Sequence, residues 1–281
     1  MSDATEIRVD FHTHSCHSDG VLTPKDLVAR AAARGVSTLA LTDHDTTAGL
    51  AEAATACAAH GIRFVRGIEV SGSYRGQAIH VIGLGLPDTA PELDAHVASI
   101  VVRRRERIAA IGERLTKRSR LPGADLAAAV LGSATSPTRL HMARALVAAG
   151  HASELQDAFD RWLNRDRPGH VPIEWPDLSA TLGALRSSGA QIVLAHPHRY
   201  RLSNGALRDL AVRFKEEGGV ALEQSIAGMS PNDMDRIARL CRAFDLDASL
   251  GSDFHDPEVP WNPLGRWLKL ADGLRPIMAR L

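Results

Sequence analysis

The sequence predicts an α/β barrel interrupted by a helical insertion, and three observations carry that expectation. Short apolar runs alternate with segments of helical periodicity, giving roughly seven strands, each followed by a helix or a hairpin. The polar clusters lie where these runs end, which in such barrels is where functional residues gather. From about Pro91 to Pro172 the alternation stops, and helical segments follow one another with no convincing strand. Pro87-Asp88 bounds this stretch on one side, and Pro168-Gly169, Pro172 and Pro176 bound it on the other. The expected division is therefore a barrel from residues 1–90 and 173–281, with a helical insertion at 91–172 that serves as a substrate cap.

In chain order, Ile7 to Phe11 reads as a first strand that delivers His12-Thr13-His14. Residues two apart on a strand face one side, so His12 and His14 present their nitrogens to one place, and Asp19-Gly20 reads as a turn whose carboxylate can bend back over it. Thr23-Pro24 starts a helix that Gly35 stops. A second strand, Ser37 to Thr42, ends in Asp43-His44-Asp45, and a helix from about Thr47 to His60 follows. Next come two short runs, Ile62 to Arg66 and Gly67 to Ser71, and a hairpin signal at Arg75-Gly76 leads into Ala78 to Leu84. Glu69 and His80 thus fall on neighbouring strands.

Within the insertion, helices are expected over Leu93 to Arg118, Asp125 to Leu131, Thr138 to Ala149 and Ser153 to Leu163. The run Arg103-Arg104-Arg105 with Arg107 reads as a solvated helix face. Afterwards the helix Leu178 to Ser188 precedes the strand Gly189 to Ala195, which ends in His196-Pro197-His198-Arg199-Tyr200. The helix Gly205 to Glu217 precedes the strand Gly219 to Glu223. The helix Pro231 to Phe244 precedes Ala248 to Leu250, which ends in Gly251-Ser252-Asp253-Phe254-His255.

Composition excludes several classes. With 44% hydrophobic and 23% charged residues and a formal net charge of zero, the chain is globular in type, and any anionic ligand must be held by local charge. No apolar run is long enough to span a membrane, and the acidic start Met1 to Glu6 lacks the character of a secretory signal. Three scattered cysteines, Cys16, Cys57 and Cys241, make no disulfide framework, so a reducing, cytoplasmic location is expected with neither a membrane nor an obligate protein partner. Cys16 reads as a bystander beside the histidines.

Collected by strand, the candidate ligands are His12, His14, Asp19, His44, Glu69, His80, His196, Asp253 and His255. One catalytic ion takes about three protein ligands. The set therefore suits two or three divalent ions, with the two oxygens of Glu69 as a bridge, and mixed imidazole and carboxylate donors favour manganese first, or zinc or iron.

His12-Thr13-His14-Ser15 with Asp19-Gly20, Thr42-Asp43-His44-Asp45, Gly67-Ile68-Glu69, Ala195-His196-Pro197 and Gly251-Ser252-Asp253-Phe254-His255 resemble the motifs of the PHP (polymerase and histidinol phosphatase) family of metal-dependent phosphoesterases. The resemblance implies a distorted (β/α)7 barrel with a trinuclear centre. It implies one metal on His12, His14, Glu69 and Asp253, a second on Glu69, His80 and His196, and a third on Asp19, His44 and His255. The insertion and the segment around His196 are similar to the group holding the 3',5'-nucleoside bisphosphate phosphatases and a 5'-3' exoribonuclease, where arginines matching Arg139 and Arg199 contact phosphate. Two departures stand out. Ala221-Leu222-Glu223-Gln224 replaces a Gly-Ile-Glu-Val pattern, and His198 stands where a small residue is usual.

The function expected is hydrolysis of the 3'-phosphate of nucleoside 3',5'-bisphosphates, of short 5'-phosphorylated oligonucleotides, or of both, with the ions activating the attacking water. A histidinol-phosphate-type phosphatase and a non-catalytic, metal-stabilised module are the alternatives. Trp162, Trp175 and Tyr200 are the aromatic residues available to stack a base.

Overall fold

The computed structural model describes residues 8–259, 264–265 and 269–281. Ile7, where the first strand is expected to begin, and the acidic start before it lie outside these residues, as do 260–263 and 266–268 of the second barrel segment. The seven strands β1 (Val9–Asp10), β2 (Thr38–Leu41), β3 (Arg63–Tyr74), β4 (Gln77–Leu84), β5 (Gln191–Leu194), β6 (Ala221–Ile226) and β7 (Asp247–Gly251) form one sheet in sequence order. Pairing is parallel except on both sides of β4. The sheet closes on itself where Phe11 donates to the Leu250 carbonyl (3.2 Å), Asp253 to His12 (2.8 Å) and His14 to Phe254 (2.9 Å). Gly251 is needed at this seam, because a Cβ there would stand 2.5 Å from the Cβ of His12.

Strand alternation explains how the interior is divided. Leu39 and Leu41, Ile68 and Val70, Ile79 and Val81, and Ile192 and Leu194 pack outward against α1 (Pro24–Ala33), α2 (Leu50–His60), α7 (Leu178–Ser187), α8 (Asn204–Glu216) and α9 (Pro231–Ala243). The intervening residues Ala40, Val65, Ile82, Leu84, Val193 and Ala221 meet inside the barrel, with Ile277 of the C-terminal turn beside them. Glu69, His80 and Glu223 share the inward parity of Val65, Ile82 and Ala221, so the barrel has an apolar floor and a polar upper layer.

Two expectations about strands change. The runs over 62–71 are one strand, β3, which continues to Tyr74 in a long hairpin with β4. Glu69 and His80 therefore lie within strands rather than at C-terminal ends, and His80 reaches the site from a strand running antiparallel to its neighbours. Antiparallel pairing lets a two-residue turn at Arg75-Gly76 replace a crossover helix.

Between β4 and α7 come α3 (Pro91–Ser119), α4 (Gly123–Ser133), α5 (Arg139–Ala148) and α6 (Leu155–Ala158), then a π-helical turn, Phe159–Leu163. The helix expected from Ser153 is thus shorter and divided. These helices share their own apolar cluster, including Ile108, Ile111, Leu115, Met142 and Leu146. Gly112 and Gly123 let α3 and α4 touch, since a Cβ on Gly112 would meet the Ala127 Cβ at 2.5 Å.

The arginine run is only partly a solvated face. Arg103 and Arg105 are exposed, but Arg104 is buried. Its Nε and Nη2 reach Asp45 at 2.7 and 2.6 Å, Nη2 also donates to Ser71 Oγ at 2.9 Å, and its guanidinium lies 4.9 Å from the Trp175 ring centre. This ion pair joins α3 to the loop after β2. Truncating one partner leaves a buried charge unpaired, so Arg104→Ala should cost about 3–5 kcal/mol in urea unfolding. Combining Arg104→Met with Asp45→Asn should recover part of that loss; a surface-like cost near zero for Arg104→Ala would contradict the burial.

Candidate metal centre

Glu69 occupies the middle of the upper layer, wholly buried. Its Oε2 lies 3.2 Å from His12 Nε2, 3.3 Å from His14 Nε2 and 3.0 Å from His44 Nδ1, and its Oε1 lies 3.1 Å from His80 Nδ1 and 2.9 Å from His196 Nε2. Asp253 Oδ1 stands 3.3 Å from His12 Nε2 and 3.2 Å from His14 Nε2, and Asp19 Oδ1 stands 3.2 Å from His255 Nε2. All nine sequence-predicted ligand positions thus come together. Cys16 is exposed and joins none of these groups.

The loops holding these residues are fixed by specific bonds. Asp43 accepts from Ser15 N (2.7 Å), Ser15 Oγ (2.6 Å) and Ser18 Oγ (2.6 Å), pinning the turn that carries Asp19. Gly20 packs so tightly that a Cβ would stand 2.3 Å from the His14 carbonyl oxygen. Arg144 of α5 donates to the Asp19 carbonyl at 2.6 Å. Asp45, His196 and Asp253 have φ of 49°, 30° and 53°, a left-handed conformation that costs a non-glycine residue about 1–3 kcal/mol. Each is held there by its amide: Asp45 donates to Glu69 O (2.9 Å), His196 to Glu223 Oε2 (2.5 Å) and Asp253 to His12 O (2.8 Å).

The donors fit divalent cations. Among the described residues, His12 Nε2, both ring nitrogens of His14, His44 Nδ1, Asp19 Oδ1 and Glu69 Oε2 are buried without a hydrogen-bond partner, although oxygen and nitrogen lone pairs converge there. Burial opposes ionisation of Glu69, Asp19 and Asp253, but the surrounding imidazoles outweigh it and hold all three well below the usual carboxylate range. Burial, with His255 and His44 beside it, lowers His14 to about 3, so it stands neutral as a ligand must. Burial also opposes charge on His255, yet Asp19 and Asp253 carry it up to about 9. Four overlapping groups could each hold an ion: His14, Asp19, His44 and His255; His12, His14 and Asp253; His12, Glu69 and His196; and His44, Glu69 and His80. His14 thus faces the third implied ion as well as the first, and His80 and His196 flank Glu69 Oε1 with different companions.

Glu223 has a role its altered motif left open. Its Oε1 lies 2.8 Å from His12 Nδ1 while Oε2 accepts from His196 N, so one buried carboxylate orients two candidate ligands. Its place at the end of the expected apolar run Gly219 to Glu223 was the available signal, although β6 continues past it to Ile226. Tyr200 lines the cavity over His80 and His196, and its buried hydroxyl donates to Ala195 O at 2.6 Å and accepts from the His80 amide. Trp162 spends its Nε1–H on His151 O and packs among the inserted helices.

A cavity of about 920 Å³ opens from Asp19, His44 and His80 towards the inserted helices. Arg107, Arg139, Arg165 and His170 line it, with the rings of Phe159 and Trp175. Among the described residues, none of these arginines has a carboxylate within 4.0 Å. Burial, with Arg139 and Arg104 nearby, lowers Arg107 to about 10. Arg199 donates from Nη1 to Asp253 Oδ2 and borders a smaller cavity of about 370 Å³ over His80 and His196.

Fold and site define an α/β-barrel protein that gathers candidate divalent-cation ligands around a shared glutamate, beside a cationic cleft. The sequence pattern of the PHP domain matches residues 10–121. The chain is 40% identical over 277 residues to the 5'-3' exoribonuclease Rnm of Escherichia coli (strain K12), covering 98% of this chain and 94% of that one. It is 37% identical over 273 residues to the 3',5'-nucleoside bisphosphate phosphatase of Chromobacterium violaceum, covering 97% and 96%. A solved structure described as an amidohydrolase from Chromobacterium violaceum, with sulfate and no metal bound, matches with a TM-score of 0.90 at 36% identity, covering 97% and 95%. The chain belongs to the PHP family. Among the described residues, no helix is long and apolar enough to cross a membrane.

Two outcomes follow from the geometry. Glu223→Gln should weaken manganese binding about 10- to 100-fold by titration calorimetry, and unchanged affinity would show that other contacts hold His12 and His196. Adding manganese to chelator-stripped protein at about 100 times its dissociation constant should stabilise the fold by about 2.7 kcal/mol, read as a raised Tm.

Proposed function

We propose that this PHP enzyme hydrolyses the 3'-phosphate ester of nucleoside 3',5'-bisphosphates and of short 5'-phosphorylated oligonucleotides. One observation carries the reading: the buried ligand cluster opens directly into a cleft in which Arg107, Arg139 and Arg165, unlike the Asp45-paired Arg104, have no acidic partner among the described residues. One phosphate at the cluster and a second among Arg107, Arg139 and Arg165 would satisfy both. The relatives' names, a bisphosphate phosphatase and an exoribonuclease, support the same substrate class. An amino-alcohol phosphate would instead bring an ammonium group towards these cations.

In this reading His12, His14, Asp19, His44, Glu69, His80, His196, Asp253 and His255 hold two or three divalent ions, manganese first. Such ions supply an acidified water as nucleophile and neutralise charge on the phosphoryl oxygens. The chain's own residues do the positioning. Arg199, fixed by Asp253, clamps oxygens of the scissile phosphate, and Arg139, resting 5.2 Å from the Phe159 ring centre at the start of α5, holds the distant one. Phe159 and Trp175 offer ring faces to the base. Residues 91–172 act as a substrate cap on the barrel formed by 1–90 and 173–281.

Manganese-loaded enzyme should be given 3'-phosphoadenosine 5'-phosphate, histidinol phosphate, a 5'-phosphorylated RNA oligomer and an aryl phosphate. The bisphosphate and the RNA should turn over fastest, and equal or faster turnover of histidinol phosphate would overturn the reading. Arg139→Ala should lower kcat/KM for the bisphosphate about 10- to 100-fold, a lost charge-assisted contact of about 1.5–3 kcal/mol, while sparing the aryl phosphate. Equal losses on both would make Arg139 structural.

A further inference from the structure

A further cavity, of about 460 Å³, borders the ligand cluster at Asp253 and His255, and the function proposed above gives it no occupant. Asp253, His255 and Arg199 form its inner wall, His198 and Leu140 its sides, and Ala227 with Gly228 its small-residue floor. Leu140, in the first turn of α5, also lines the cationic cleft and so stands between the two spaces. Arg199, Asp253 and His255 also line the cavity of about 370 Å³ over His80 and His196, so the cluster opens to more than the cationic cleft.

The chemistry of the two substrate types shows what such a second space is for. In a nucleoside 3',5'-bisphosphate, water adds to the 3'-phosphorus and the P–O3' bond breaks. The electron pair stays on O3', which takes up a proton, and inorganic phosphate departs. In a 5'-phosphorylated oligonucleotide, breaking the same P–O3' bond of the first nucleotide releases a nucleoside 5'-monophosphate and leaves the phosphate on the shortened strand. The first nucleotide is identical in both. The substrates differ only in whether the scissile phosphorus carries a second ester, so a site that takes both needs room for one more nucleotide beyond phosphorus, away from the cationic cleft.

We infer that the cavity bounded by His198, Arg199, Ala227 and Gly228 is the subsite for the nucleotide on the 3' side of the scissile phosphate. This inference rests on the function proposed above. The volume lies within the range of about 300–1,000 Å³ usual for small-molecule pockets and suits one nucleotide. Arg199, at the boundary with the space over His80 and His196, is placed to meet the phosphate that joins the two nucleotides. Gly228, exposed and at φ 81°, leaves the outer rim open for a longer strand.

The test compares a nucleoside 3',5'-bisphosphate, a 5'-phosphorylated dinucleotide and an aryl phosphate, using wild type, His198→Trp and His198→Ala, each with Tm recorded. The indole should fill the space, lowering kcat/KM for the dinucleotide about tenfold or more. Bisphosphate and aryl phosphate hydrolysis should stay within about threefold, and His198→Ala should cut all three as wild type does. Equal loss on all substrates with Trp, or undiminished dinucleotide cleavage, overturns the assignment. Wild type that cuts the dinucleotide but not the bisphosphate overturns the earlier reading alone, because the Trp effect on dinucleotide relative to aryl phosphate still decides the subsite.

Discussion

The upper half of this barrel is built around one buried carboxylate. Glu69 sits within 3.3 Å of five imidazole nitrogens, on a strand whose neighbouring positions pack as ordinary core. Imidazoles crowded this closely cannot all be protonated, and a carboxylate at the bottom of such a well cannot stand alone in a low-dielectric interior. The arrangement is coherent only when positive charge is shared among many donors. Proximity without hydrogen-bond geometry at His12 Nε2, His14 Nε2 and His44 Nδ1 is the mark of atoms aimed at a common ion rather than at each other.

That demand propagates outward. Asp45, His196 and Asp253 accept left-handed backbone conformations at strand ends, and the groups that capture their amides are Glu69, Glu223 and His12, themselves parts of the centre. The inserted helices are fastened to the same rim. Arg104 of α3 reaches Asp45, and Arg144 of α5 reaches the Asp19 carbonyl. Arg103, Arg107 and Arg114 donate to carbonyls of Glu174, Val171 and Pro168 on the returning segment. A shift of the insertion therefore moves the loops that present Asp19 and His44, which couples the wall of the cleft to the ligands at its base.

How far this could be read from sequence depended on range. His12, His14, His44, His196, Asp253 and His255 were legible because each closes an apolar run, a local pattern fixed by strand periodicity. The extent of β3 was not, because Gly67 and the charged Arg66 interrupt its apolar character, and only pairing with β4 keeps the strand continuous to Tyr74. Arg104 was read as solvated for a similar reason: its neighbours Arg103 and Arg105 are exposed, and nothing local to α3 announces Asp45 fifty-nine positions away. Tyr200 carries a role that local sequence does not announce. An aromatic residue beside a ligand histidine suggests stacking, but not that its hydroxyl is also committed to the backbone carbonyls of Ala195 and His80.

Charge distribution links the centre to its substrate more tightly than net charge does. The chain carries 33 basic and 33 acidic side chains, so no long-range field favours a nucleotide. Attraction arises locally, where Arg107, Arg139 and Arg165 face the cleft without acidic partners among the described residues. The ligand cluster itself holds Asp19, Glu69 and Asp253 ionised, with Glu223 just beneath, and such a group of carboxylates repels a phosphate unless cations offset it. On the proposed function, binding at the cleft depends little on the ions, and productive placement at the cluster depends on them heavily. In the function proposed above, the arginines select which molecules enter, and the ring of histidines around Glu69 selects which of their phosphates reacts.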